Sequence, residues 1–184
     1  MKSSKQHDMP SENNTMTLQK VVGIILFLMG AFNLYLFIDG LIGVKEIMRD
    51  RHVRYHYSEE DYLWSNILWT RHKLALQAFL LIIAGIALYK NRKIGWAIAW
   101  STCLMIAVIS SISLTIPYFD SGKVEIDARW YRLFFIASLN YLLTIIMLLP
   151  NFWRDYKIDW KVISIAIALI VLLVLDNQFY FRFL

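Results

Sequence analysis

The chain has 184 residues, 58% of them apolar, with a mean hydropathy of +0.48 and a formal net charge of +5. Soluble domains are about 45–50% apolar, and here the excess is gathered into runs rather than scattered. That excludes an ordinary soluble fold, and the lack of alternation within the runs excludes a transmembrane barrel.

Residues 1–16 are polar and predict a disordered tail. The first apolar run covers 18–44. A bilayer core of roughly 30 Å needs about 20 apolar residues in a helix. The run is longer than the 7–15-residue apolar region of a signal peptide and lacks a small-residue cleavage pattern, so it predicts a retained span. Gly40 and Gly43 loosen its far end, and the mixed charges of 45–57 extend the helix beyond lipid. Ser58 and Asp61 form an S-x-x-D helix start. Behind them Tyr62, Leu63, Trp64, Ile67, Leu68 and Trp69 suit the headgroup layer, so 59–72 predicts a short interfacial helix.

The second run, 74–89, is short and borrows Leu68 and Trp69 to reach across. The third, 94–119, starts after Lys93 and is expected to end at Pro117. The fourth, 130–149, opens on Trp130–Tyr131 and stops at Pro150. The fifth, 161–182, is interrupted by Asp176, Asn177 and Gln178 before Phe179, Tyr180 and Phe181. It either crosses fully or is re-entrant or interfacial. The expected fold class is therefore all-α: a polytopic transmembrane helical bundle of five spans, or of four plus a C-terminal re-entrant or interfacial segment. A backbone in lipid must satisfy its own hydrogen bonds, and helices do so. Residues 17–184 form one membrane-embedded unit in this reading.

Five spans place the amino-terminal tail with the 90–93 and 150–161 loops. That side carries nine Lys/Arg and the other ten. Density breaks the tie: Lys90, Arg92 and Lys93 are compact, purely basic and against the lipid, whereas 45–73 spreads six cations among five acids. The expected placement is a bacterial cytoplasmic (inner) membrane, amino terminus inside and carboxyl terminus outside. The turn Tyr-Lys-Asn-Arg-Lys followed by Ile-Gly-Trp-Ala is common among small bacterial membrane proteins and points to no one family.

Three features carry chemistry. Gly95, Ala99, Cys103, Ala107, Ser111 and Thr115 recur every four residues in the third run, giving a small-residue groove for a close-packed helix and making that run the hub of the bundle. Polar groups at membrane depth come next. Asn33, Asp39, Gln77, Ser110, Ser111 and Asp176 all fall toward the outer half and define a possible outer-side polar pocket. The alternative for Asp39 and Asp176 is the interfacial layer, exposed or paired with Arg129, Arg132 or Arg182. Asn140 is polar near the middle of the fourth run. Third, His52 and His56 stand four apart and are weak metal candidates, since HExxH is absent and no cysteine assists.

No GxSxG, GxxxxGK[ST] or GxGxxG occurs. No cofactor is implied, no basic face of useful size exists for nucleic acid, and Cys103 is the only cysteine. Six tryptophans near span ends (Trp64, Trp69, Trp96, Trp130, Trp153, Trp160) suit interfacial belts. The expected function is non-catalytic: binding a partner in the membrane, in an accessory, assembly or immunity-type role, with membrane lipid and a membrane protein or a second copy as partners. The alternative is a small oligomeric transporter or channel using the region of Asp39 and Asp176. A membrane enzyme acting on a lipid-linked substrate is third.

Overall fold

The structure is a computed structural model that describes residues 12–55, 69–121 and 126–182, with side chains over 18–43, 71–115 and 126–177 except Arg129. These residues are helical apart from short turns. The helices are α1 (Glu12–Tyr55), α2 (Trp69–Tyr89), α3 (Lys93–Ser121), α4 (Ala128–Met147), α5 (Pro150–Asp155) and α6 (Trp160–Arg182). All but α5 are long and apolar enough to cross a membrane.

Local chemistry sets the boundaries. Asn91 adopts a left-handed φ of 53° in the turn after α2, a conformation that asparagine tolerates better than most residues. There Asn91 N–H donates to the Leu88 carbonyl (2.9 Å) and Arg92 N–H to the Ala87 carbonyl (2.8 Å), so the chain reverses within three residues. Asp127 caps α4, accepting the Trp130 N–H at 2.7 Å. Pro150 opens α5 in the first turn, where its missing N–H costs nothing. Asp159 accepts the Val162 N–H at 3.0 Å and starts α6.

The core gathers around α3, which packs on α2, α4 and α6, while α2 also packs on α1. Half of the apolar stretch of α3 is buried, against 11% for α6. At one end of the bundle the core is closed by α5. Phe152 and Tyr156 are buried there, the Tyr156 hydroxyl donates to the Leu88 carbonyl (3.1 Å), and Trp96 Nε1 donates to the Met147 carbonyl (2.8 Å). The Trp96 ring stacks on Trp100 and meets Trp153 edge-on. Burial, and then the Asp155 carboxylate, pushes the Tyr156 phenol above its ordinary value, so it stays a donor.

Four boundaries differ from the sequence reading. Residues 12–16, expected in the disordered tail, are helical and belong to α1, as no glycine or proline interrupts the chain between Glu12 and Gly23. Of the expected interfacial helix, 59–68 lies outside the described residues, and 69–72 form the first turn of α2. α3 runs through Pro117 to Ser121 rather than stopping there. Proline is tolerated within such helices when neighbouring groups take up the freed carbonyl. α6 is unbroken across Asp176–Gln178, because Asp176 and Asn177 find partners on α2 rather than competing with the helix backbone.

Candidate functional site

The polar residues expected to share one pocket divide between three places. Gln77 and Asp176 come together in a cleft between α2, α3 and α6, lined also by Lys73, Thr102, Met105, Ile106 and Asn177. Thr102, Met105, Ile106 and Ile109 present one face of α3 at helical spacing. Ser111 belongs elsewhere: its hydroxyl donates to the Ala107 carbonyl (2.9 Å) and lies 3.4 Å from the Tyr141 hydroxyl, so it faces α4. Ser110 is buried on α3. Asn33 is half-buried on α1 and Asp39 is exposed there. Neither of them is among the residues that line the cleft.

Two side chains that the sequence reading did not place in the site meet its polar residues, Lys73 from the cleft lining and His72 from outside it. His72 Nε2 lies 3.0 Å from Asp176 Oδ1, and Lys73 Nζ donates to Asn177 Oδ1 at 2.7 Å. Asp176 thus meets a histidine from α2, while of the three arginines named as alternative partners Arg129 and Arg182 have side chains outside the described residues. The signal is present in the sequence: His72 and Lys73 open one span, while Asp176 and Asn177 close another that ends at the same depth when helices alternate in direction. The cleft volume is about 20 Å³, and one water needs roughly 10–15 Å³. The cleft therefore has room for about one water. It ties α6 to α2 through two polar contacts.

Next to it, a Cβ on Gly40 would collide with the Arg71 guanidinium, so α1 carries a glycine where the Arg71 side chain crosses it. At the opposite end, Gln19 Nε2 donates to Asp155 Oδ2 (2.9 Å) and Lys93 pairs with Asp159 (3.4 Å). The Val162 N–H, and to a lesser degree the Lys93 ammonium, hold the Asp159 carboxyl below the usual carboxylate range.

The six small residues of α3 are placed as a winding stripe. Gly95, Ala99, Cys103 and Ala107 are buried, Ser111 is half-buried and Thr115 exposed. A Cβ on Gly95 would meet Ala87 Cβ at 2.7 Å, so the stripe begins against α2, and Ser111 ends it against α4. Four residues overshoot one turn by about 40°, so the stripe cannot stay on a single neighbour. Buried Asn140 donates to the Ile136 carbonyl (2.9 Å), and its Oδ1, like Trp100 Nε1, has no partner among the described residues. His56 lies outside the described residues, and so does the His52 side chain. Among the described residues no group of three or more metal-ligating side chains occurs.

A further seam of close backbone packing joins α1 and α2, and sequence reasoning missed it. A Cβ on Gly30 would meet the Ala78 carbonyl oxygen at 2.8 Å, and one on Gly85 would meet the Gly23 carbonyl oxygen at 2.6 Å. α1 and α2 therefore touch backbone to backbone. Comparison with known proteins finds no family model, no curated protein and no solved structure that matches the chain.

Proposed function

We propose that this chain is an integral membrane protein whose five long helices cross the bilayer and whose role is to bind a protein partner there. The observation that carries this reading is α6. It is the least covered of the five, with 11% of its apolar stretch buried. Yet both of its ends are fixed, by Asp159 to Lys93 at one and by Asp176 and Asn177 to His72 and Lys73 at the other. Ile167, Val171, Leu172 and Leu175 form an exposed face on a helix held in a set orientation. In lipid, helices associate through packing and polar contacts rather than by expelling apolar surface from water. A prefixed apolar face therefore saves a partner helix the cost of ordering it. Accessory, assembly and immunity-type roles share this mode. Transport through the cleft has less support, since the cleft takes about one water and Asp39 lies outside it.

In this reading the amino terminus and the 90–93 and 150–161 turns face the inside of a bacterial cytoplasmic membrane. Lys20, Lys90, Arg92, Lys93, Arg154, Lys157 and Lys161 stand at that end against Asp155 and Asp159, in keeping with the positive-inside rule. Reporters fused at residues 1 and 184 should report opposite sides. The partner itself is tested by a photocrosslinking residue at Leu172 in native membranes, with buried Ala166 as control. A discrete protein adduct from Leu172 and none from Ala166 is the expected result. Lipid adducts alone from Leu172 overturn the reading.

A further inference from the structure

The crossing of α1 and α2 carries a groove on its outer side that partner binding at α6 does not use. Its floor is backbone. A Cβ on Gly23 would meet the Gly85 carbonyl oxygen at 2.9 Å, and one on Gly85 the Gly23 carbonyl oxygen at 2.6 Å, so no side chain fills the crossing point. Between Ile24, Phe27, Ile86 and Tyr89 an open apolar trough of about 200 Å³ remains. For scale, an apolar cavity of roughly 150 Å³ takes up benzene.

The mouth of the trough is cationic. Lys20 Nζ lies 5.9 Å from the centroid of the Tyr89 ring, inside the roughly 6 Å range of a cation–π contact. Lys90 and Arg92 are exposed in the turn that follows Tyr89. The stretches 18–27 and 85–93 carry four cations (Lys20, Lys90, Arg92 and Lys93) and no carboxylate. Lys93 is engaged by Asp159 at 3.4 Å. Asp155 is held by buried Gln19, the neighbour of Lys20 on another face of α1.

We infer that this groove is a site for one anionic phospholipid, with an acyl chain in the trough and the phosphate against Lys20. Neither half selects such a molecule alone. A trough without cations would take any lipid tail, and an isolated surface lysine would take any anion. Basic sites between spanning helices on the cytoplasmic side bind anionic headgroups by joining the two. The inference rests on the chain lying in a bilayer, but not on any partner at α6.

The test uses the purified full chain in neutral detergent, with phosphatidylglycerol, phosphatidylcholine of the same chains, and inorganic phosphate as probes, read by native mass spectrometry. Phosphatidylglycerol should bind more tightly than phosphatidylcholine, and Lys20→Gln should weaken it about fivefold. Ile86→Trp fills the trough from an exposed position and should weaken both lipids. Arg132→Gln, at the other end of the bundle, should change neither. Equal binding of the two lipids, full retention by Lys20→Gln, or full retention by Ile86→Trp overturns the site. So does displacement of phosphatidylglycerol by inorganic phosphate at matching concentration, which would reduce it to an anion on a lysine. Leu172 adducts that persist in Lys20→Gln would separate this outcome from that of the partner reading.

Discussion

Two helix pairs in this molecule are held together by opposite means. α1 and α2 meet by subtraction: Gly23, Gly30, Ala78 and Gly85 remove side chains until backbone meets backbone. α3 and α6 meet by addition. Midway along, the Ser101 hydroxyl lies between the Ala97 carbonyl of its own helix (2.7 Å) and the Ala166 carbonyl of α6 (2.9 Å), sharing one proton between them, and polar contacts fix α6 at its two ends, to α2 through Asp176 and to α3 through Asp159 and Lys93. Lipid offers no hydrophobic drive between helices, so contact there is achieved through shape or through polar groups. The first pair uses shape, and nothing titrates among the four small residues of its crossing. The second leaves most of α6 bare and depends on groups that do.

The largest effect should come from breaking the shape-based pair. Gly85→Leu places a branched side chain where even a Cβ lies 2.6 Å from a carbonyl oxygen, so α1 and α2 must separate. A loss of about 3 kcal/mol is expected in a detergent or SDS-titration unfolding curve. Gly43→Leu is the matched control, because a Cβ there meets nothing within 4 Å, and it should stay within about 0.5 kcal/mol of the parent. Equal effects at both positions would mean that glycine content, not the crossing, sets stability.

Smaller losses should follow where polar groups carry the contact. Tyr156→Phe removes the hydroxyl that meets the Leu88 carbonyl at 3.1 Å and leaves that carbonyl with the Asn91 N–H as its partner, so the cost is that of one hydrogen bond, about 1 kcal/mol. Ser101→Ala strips the hydroxyl between α3 and α6. Hydrogen bonds between membrane helices average about 0.6 kcal/mol, so thermal unfolding should shift only slightly. A Ser101→Ala loss as large as that of Gly85→Leu would erase the distinction between the two pairs.

The five apolar runs are legible because length and composition alone identify helices that can cross a membrane. The α1–α2 seam is not, although its residues are in plain view. Four-residue spacing on a single helix singles out Gly95 to Thr115. The small residues that matter stand seven apart, Gly23 and Gly30 on one helix, with Ala78 and Gly85 answering on the next. A seven-residue period keeps a seam facing one neighbour, whereas a four-residue period winds off it. The site is half-legible for a similar reason. Asp176 and Gln77 stand out as polar groups in apolar runs. His72 and Lys73 read with the loop, since a span's first turn looks like its flank until the opposite helix is known. Pro150 reads as a stop, and it also starts α5, whose Phe152 closes the core.

The smallest effect concerns the titrating pair, and its sign is fixed. Asp159 is held below the ordinary carboxylate range chiefly by the Val162 N–H. A carboxylate favoured in the folded state contributes stability above its unfolded pKa and loses that contribution as pH falls through the lower folded value. The unfolding temperature of the parent should therefore drop on acidification below about pH 4. The amide of an Asp159→Asn variant still caps the helix but cannot titrate. The variant should match the parent's cap at acid pH and lose, at neutral pH, the charge-assisted part of the Val162 bond and the smaller Lys93 attraction, so the difference between the two curves should close as pH falls. Because Asp159 is solvent-exposed, that difference should also shrink with added salt. A gap that is independent of both pH and salt would show that Asp159 acts through cap shape alone, and its contact with α3 would then be no more titratable than the glycine crossing of α1 and α2.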